Sequence, residues 1–219
     1  MQNPEIYSSR EFVTPEQLAE WKEDYYSIES YGDSYSVIIV GEEHCIEEHQ
    51  KKQIELIRQV KPEYVLDELL EGWIYNPENR EFEKQENRLF GKKDENIERR
   101  TESISNKKGL FFVNPQLILT ADEVGFKIIG CDFTTEEKEL LKVSLKKVSS
   151  KKTRDISFLR ERQMVETILE YQSKSAKPIV TIVGSNHSNN IHKNKLLQEK
   201  GFDYACVHQM KYDKTQDTK

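Results

Sequence analysis

The amino-acid sequence predicts an α/β fold, with a mostly parallel sheet flanked by helices. Short apolar runs rich in β-branched residues alternate with longer amphipathic segments, which is typical of parallel sheets covered on both faces. Turn residues bound each run, as expected of buried strands. The predicted strands occupy 35–40, 63–66, 126–131, 178–183 and 203–207.

Helix signals separate these strands. Thr14 and Gln17 form a capping box around Pro15, which predicts a peripheral helix that runs to about Tyr26. We expect the last of the five strands at an edge of the sheet. Further helices are predicted over 46–60, 114–123 and 134–173 (with a break near 149–150), and another follows Gly184 and runs through Leu197.

The length of 219 residues favours a single domain with its core over about 35–210 and a polar tail at 211–219. The segment 77–108 differs from the core because it is dense in Glu, Lys, Arg and Asn. We interpret it as a charged, partly helical insertion. It either covers the site as a lid or is a solvated segment without a role.

Composition excludes several classes of protein. The formal charge of −6 gives no electrostatic footprint for nucleic acid or an anionic membrane surface. No apolar run approaches the roughly 20 residues of a membrane span, and the first residues lack the pattern of a signal peptide. Three widely spaced cysteines suggest neither a disulfide framework nor a thiolate zinc site. A cytoplasmic protein is therefore expected, and self-association into a homo-oligomer is left open.

Two strands are followed by the same short motif, Gly-x-x-His. Gly41–His44 follows the strand at 35–40, and Gly184–His187 follows the strand at 178–183. A glycine at such a turn lets the chain leave the strand sharply and lets a ligand approach the backbone. His49 and His192 lie five residues after each motif, where a solvated or helix-packed histidine is the simpler interpretation.

In open parallel sheets, ligands bind beyond the carboxyl ends of the strands. Besides the two motifs, the strand at 63–66 ends in Asp67-Glu68, and the strand at 126–131 ends in Asp132. The sequence therefore predicts one polar site that contains two histidines and several carboxylates, with Glu42 and Asn186 also in the turns. Glu42 is expected to activate water or bind metal, and Asn186 to contact substrate.

Histidine with carboxylate suits two chemistries, and spacing does not choose between them. His44, Glu68 and His187 could hold a divalent metal ion (Mn, Zn, Co or Fe), which would lower the pKa of a bound water. Alternatively, one histidine acts as a general base on water without a metal, while the remaining polar groups stabilise the oxyanion. No Walker loop, dinucleotide fingerprint or Gly-x-Ser-x-Gly elbow occurs.

Five short blocks occur in order along the chain: GEEH at 41–44, KPEYVLDE ending at Glu68, Ala121 through Gly130 to Asp132, Arg160 to Met164, and GSNHSNNIHKNKLLQEKG from Gly184. Together they resemble a superfamily that contains the Tiki proteases, the TraB/PrgY/GumN group, the erythromycin esterases and the ChaN-like haem-uptake proteins. The order and spacing of the blocks hold from about 37 to 207.

The resemblance implies a site built from His44, His187 and Glu68, with Arg160 nearby. Arg160 would pair with a carboxylate or hold developing negative charge, and Asp132 would anchor it. Neither the signal nor the anchor of secreted Tiki proteins is expected here, and the chain is shorter than the erythromycin esterases, so the resemblance does not identify the substrate.

The expected function is hydrolysis of a peptide or ester bond by activated water, with metal dependence favoured, acting on a peptide or small-molecule substrate. Gly41, Gly184, Asp132 and Asn186 are expected to line the binding site. One alternative is a non-catalytic module that holds a metal, haem or small ligand in the same fold. Another is a toxin-like or self-processing protein gated by the 77–108 segment.

Overall fold

The computed structural model describes residues 10–44, 46–85, 114–134, 137–138, 141 and 152–209. Within these residues, eight strands form one sheet, and five α-helices pack around it. The strands are β1 (Ser27–Tyr31), β2 (Val37–Glu42), β3 (Tyr64–Asp67), β4 (Trp73–Asn76), β5 (Glu81–Lys84), β6 (Lys127–Gly130), β7 (Ile179–Gly184) and β8 (Tyr204–His208). The helices are α1 (Pro15–Glu20), α2 (Glu47–Val60), α3 (Pro115–Val124), α4 (Lys152–Lys174) and α5 (Ser185–Lys193).

The strand order is β1-β8-β2-β7-β3-β6-β4-β5. The five central strands, from β8 to β6, are parallel to one another. β1 and the β4–β5 hairpin are antiparallel and lie at the two edges. This arrangement confirms the predicted α/β fold with a mostly parallel sheet.

The central strands are buried on both faces, which explains their continuous apolar runs. Alternate residues of β2 show this division: Ile38 and Val40 pack towards α1, α2 and α3, whereas Val37 and Ile39 pack towards α4 and α5. The two apolar clusters therefore lie on opposite faces of one sheet. Because both faces are covered, polar groups of these strands become accessible mainly where the strands end.

The N-terminal prediction was partly wrong. The capping box at Thr14 is present, but α1 ends at Glu20 instead of continuing to about Tyr26. A single 3₁₀ turn follows, and then β1 pairs with β8. β8 therefore lies between β1 and β2, not at an edge as expected. β1 was not predicted, because an edge strand with exposed residues lacks the apolar pattern of a buried strand.

The prediction of a charged, partly helical insertion at 77–108 was wrong for its first residues. Residues 77–85 do not form a helix but contain β5, which pairs with β4 in a hairpin at the edge of the sheet. Phe82 packs on Tyr75 with ring centroids 4.9 Å apart, while Glu81 and Glu83 are exposed. Charges on the exposed face of an edge strand gave the segment its polar composition. Residues 86–108, and with them the proposed lid, lie outside the described residues.

The predicted helical regions agree with the structure except at their ends. Helix α2 and helix α3 match the predicted spans closely. The helix after Gly184 ends at Lys193 and not at Leu197, which lies in the following turn and is fully buried. Of the region predicted from Thr134 to Ser173, the structure describes α4 and a few residues before it, so the predicted break near 149–150 lies outside the described residues. None of the helices in the described ranges has the length and apolar character needed to cross a bilayer.

Gly130 is the last residue of β6, and the segment that connects β3 to β4 passes directly against it. A Cβ atom there would collide with the carbonyl oxygen of Leu70 and would lie 3.0 Å from the backbone nitrogen of Gly72. These are backbone atoms, so they cannot move away as a flexible side chain can. Glycine is therefore required at 130 by packing.

We predict that Gly130→Ala lowers the free energy of unfolding by about 1–3 kcal/mol, because overpacking must displace backbone. Urea denaturation followed by circular dichroism measures the change. Gly125→Asn is the comparison for backbone strain without overpacking: its φ is +89°, and a Cβ there meets no atom within 4 Å. A Gly130→Ala variant as stable as the wild type would contradict the packing argument.

Candidate active site

The polar residues predicted at strand ends converge at the carboxyl edge of the central sheet. β7 lies between β2 and β3, and Glu42 is the register partner of Gly184. The two Gly-x-x-His motifs are therefore adjacent in the sheet although their glycines are 143 positions apart in the sequence. They differ in form, because His44 lies in a loop before α2 whereas His187 lies in the first turn of α5.

Glu68 lies at the centre of this group and is almost fully buried, with 5% of its surface exposed. Its Oε2 atom accepts the backbone N–H of Gly184 at 2.7 Å, and its Oε1 atom accepts from Arg160 at 2.7 Å. The Nε2 atoms of His44 and His187 face the two carboxylate oxygens at 3.7 and 3.5 Å. Glu68 thus connects β3, α4 and both motifs.

Glu42 binds the other side of the His44 ring. The Nδ1 atom of His44 is 2.8 Å from Glu42 Oε1, and Gln53 donates a hydrogen bond to Glu42 Oε2. The bond to Glu42 raises the pKa of His44 above its ordinary value; burial opposes this, and the charge of Glu68 adds to it. Because Glu42 accepts at Nδ1, the Nε2 nitrogen of neutral His44 carries the lone pair and faces the site.

His187 has an equivalent partner that the sequence analysis did not assign to the site. Its Nδ1 atom is 3.1 Å from Glu161 Oε1, which also accepts from Asn190 and Ser157 at 2.8 and 2.9 Å. Glu161 is 1% exposed. Its position next to Arg160 in the fourth sequence block was the available signal, but only the helix geometry shows that it turns towards His187.

Arg160 binds two carboxylates at once. Its Nε and Nη2 atoms contact Asp132 at distances between 2.6 and 3.2 Å, while Nη2 also reaches Glu68. Lys138 contacts Asp132 as well, at 2.6 Å. Burial tends to raise the pKa of Asp132, but the hydrogen bonds and charges of Arg160 and Lys138 outweigh it and hold that pKa below its ordinary value. Asp132 therefore anchors Arg160, as the sequence analysis expected.

The two motif glycines make room for side chains across the site. A Cβ at Gly184 would lie 3.3 Å from Nε2 of His44, and a Cβ at Gly41 would lie 2.7 Å from the Ser188 hydroxyl and 3.1 Å from His208 Nδ1. Neither glycine has a positive φ. Close approach of side chains, and not backbone conformation, is thus the reason for glycine in both motifs.

The remaining candidates make no polar contact with Glu68 among the described residues. Asn186 is exposed on α5, and its side chain makes no hydrogen bond with another described residue. His49 is buried and accepts the backbone N–H of Glu43 at 3.2 Å. His192 contacts Tyr204 and Glu29, and the fifth histidine, His208, faces the same Glu29 at 3.5 Å. Neither His49 nor His192 belongs to the group around Glu68.

The fit of a divalent metal can be judged from the donor atoms. Two imidazole nitrogens and a carboxylate are ligands that zinc, manganese, iron and cobalt accept. Within the ranges that the structure covers, however, no three histidine, cysteine, aspartate or glutamate side chains are placed to hold a metal ion. Both oxygens of Glu68 already accept N–H groups. The side chains are thus of the types that bind these metals, but their present positions do not form a metal site.

Comparison of the chain with protein-family models, curated proteins and solved structures finds no match.

Asp67 is a second buried carboxyl next to the site, 4% exposed, and its Oδ1 accepts the backbone N–H of Leu69 at 2.6 Å. Burial raises its pKa from 3.8 to about 7; the Leu69 bond opposes the shift, and the charges of Glu42 and Glu68 add to it. The folded state therefore retains a proton that the unfolded chain releases near pH 4. Between the unfolded pKa of 3.8 and the folded pKa of about 7, raising the pH therefore lowers the free energy of unfolding.

We predict that Asp67→Asn gains stability relative to the wild type as the pH rises from 4 to 8. Asparagine keeps the Oδ1 acceptor but never ionises, so the difference should be near zero at pH 4. It should reach the order of 2–4 kcal/mol at pH 8. Urea unfolding of both proteins at each pH measures it. A difference that does not change with pH would mean that folding does not raise the pKa of Asp67.

Proposed function

We propose that the chain is a hydrolase that cleaves a peptide or ester bond with a water molecule activated by His44. One observation carries the proposal: both site histidines have Nδ1 bound to a buried carboxylate and Nε2 directed at Glu68. A carboxylate at Nδ1 fixes the tautomer of the ring and stabilises its protonated form, which is what a general base requires.

His44 is the better placed of the two bases. Its side chain is 33% exposed, whereas that of His187 is 10% exposed, so water and substrate reach His44 more easily. As His44 takes a proton at Nε2, the resulting imidazolium lies between Glu42 and Glu68, and both carboxylates stabilise its charge. His187 faces the other carboxylate oxygen of Glu68, and Glu161 binds the Nδ1 atom of His187.

Arg160 is the candidate for binding the developing oxyanion. Its Nε and Nη2 atoms are held by Asp132 and Glu68, and its Nη1 atom makes no hydrogen bond with any residue in the described ranges. The side chain is 23% exposed. A cation fixed in this way can present its remaining N–H groups to a substrate without reorganising.

Metal dependence is the second part of the proposal, and the site chemistry allows it. If a divalent ion binds, His44, Glu68 and His187 would be its ligands, and it would lower the pKa of a bound water. Substrates would be small molecules or peptides in the cytoplasm. The donor chemistry of the two facing Nε2 atoms supports a metal, while the hydrogen bonds of Glu68 favour the histidine base.

We predict that His44→Ala lowers kcat/KM by about a hundredfold or more on ester or peptide substrates that the wild type cleaves, because the base is lost. A panel of nitrophenyl esters and fluorogenic peptides provides the assay. His192→Gln is the control, since His192 contacts Tyr204 and Glu29 outside the site, and its activity should stay within about twofold of wild type.

Chelation separates the two mechanisms in the same assay. Loss of turnover after dialysis against a chelator, with recovery on adding Mn²⁺ or Zn²⁺, would establish metal dependence. Unchanged turnover would establish the histidine base alone. Wild-type turnover in His44→Ala would refute the proposal, and tight binding of a metal or haem without turnover would favour the non-catalytic module.

The pH profile provides an independent prediction. A general base acts in its neutral form, so kcat/KM should rise with pH through the pKa of His44, which lies above the ordinary value, and then reach a plateau. Glu42→Gln removes the largest cause of that raised pKa. The rising limb should therefore move to lower pH, and the plateau should fall. A limb at the same pH in both proteins would exclude His44 as the titrating group.

A further inference from the structure

Two glutamines behind Glu42 form a chain of hydrogen bonds that reaches the proposed base. We propose that Gln53 and Gln209 are positioning residues: they hold the Glu42 carboxylate so that His44 keeps its proton on Nδ1 and its lone pair on Nε2. This inference rests on the proposed function for the identity of the base, but its structural part concerns only the tautomer of His44.

The chain begins at Glu42, whose carboxylate is 6% exposed and has both oxygens engaged. Oε1 faces Nδ1 of His44 at 2.8 Å, and Oε2 accepts from Nε2 of Gln53. Gln53 is 3% exposed and lies on α2, on the face of the sheet opposite Glu68 and α4. If the buried Glu42 carboxylate loses this donor, the free-energy cost of burying its oxygen is no longer offset by a hydrogen bond. We therefore expect the side chain to rotate away from its present position.

An amide can present either its NH₂ group or its oxygen, and only the first binds a carboxylate. The orientation of Gln53 is set by Gln209, whose Oε1 accepts from the same Gln53 Nε2 at 3.1 Å. Gln209 is set in turn by its Nε2, which donates to the carbonyl oxygen of His49 at 2.9 Å. A carbonyl oxygen can only accept, so each amide in the chain has one permitted orientation.

The backbone fixes the far end of the chain. Gln209 follows β8 directly, and its N–H donates to the carbonyl oxygen of Gly41 at 3.0 Å. The end of β8 is thereby attached to the first Gly-x-x-His turn, beside the Glu42 that the relay holds. The chain of hydrogen bonds thus runs from the carbonyl oxygen of His49 through Gln209 and Gln53 to Glu42, and it ends at the Nδ1–H group of His44.

The consequence for the base is a choice of nitrogen. With Glu42 held as an acceptor at Nδ1, the neutral ring is protonated there and Nε2 remains basic on the side of Glu68. If Glu42 turns away, the proton distributes between both nitrogens, and part of the population presents an N–H to the water that it should activate.

The test measures the tautomer directly by ¹⁵N NMR of the His44 ring in the full chain. Gln53→Met removes the donor at similar side-chain length, and Gln53→Glu replaces it with a group that repels Glu42. Gln59→Met is the matched control on the same helix, because Gln59 accepts from the Trp21 indole at 2.6 Å and not from the site. Gln209→Met provides the second variant if Gln53→Met does not fold.

We expect wild type and Gln59→Met to hold the Nδ1–H tautomer of neutral His44. Gln53→Met, Gln53→Glu and Gln209→Met should show a mixture of both tautomers of neutral His44. Where a substrate is cleaved, kcat should fall about 10- to 100-fold with KM nearly unchanged. The wild-type tautomer in the Gln53 variants would overturn the relay even if activity falls. A tautomer change in a chain that cleaves no substrate would uphold the relay and count against the hydrolase.

Discussion

Glu68 carries a carboxylate in a place that water barely reaches, and the groups around it are those that can compensate a buried charge. The N–H of Gly184 and the guanidinium of Arg160 bind its two oxygens, and two imidazole rings face it. Removing any one of these would leave a buried charge less well compensated, which is costly. The bond from Gly184 also requires that β7 lie next to β3, as it does in the sheet.

The site also depends on the two-sided sheet. Strand residues alternate between faces, so Glu42 turns towards α2 and its glutamines, while Glu68 turns towards Arg160 of α4. His44 contacts both, with one ring nitrogen for each carboxylate. The two helical layers thus supply separate halves of the environment of one imidazole, and the carboxyl edge of the sheet is where the halves meet.

Much of this arrangement could be predicted because it is encoded locally. Apolar β-branched runs identify buried strands, and the parallel topology then brings their ends together, so that His44, His187, Glu68 and Asp132 could be placed at one edge. The edge strands could not be found in this way, since β1 and β5 have exposed faces and little apolar pattern. Glu161 and Gln53 were missed for a related reason: on a highly charged helix, sequence does not indicate which polar side chain turns inward.

The sequence by itself determined the alternation of strands and helices, the two glycine turns and the chemical types of the residues that follow them, because these depend on short-range pattern. Only the tertiary structure decided the relation between the turns. It made β2 and β7 neighbours, placed Glu68 between two histidines, and gave each histidine a carboxylate at Nδ1. Those contacts join residues far apart in the chain, and they exist only when both faces of the sheet are packed.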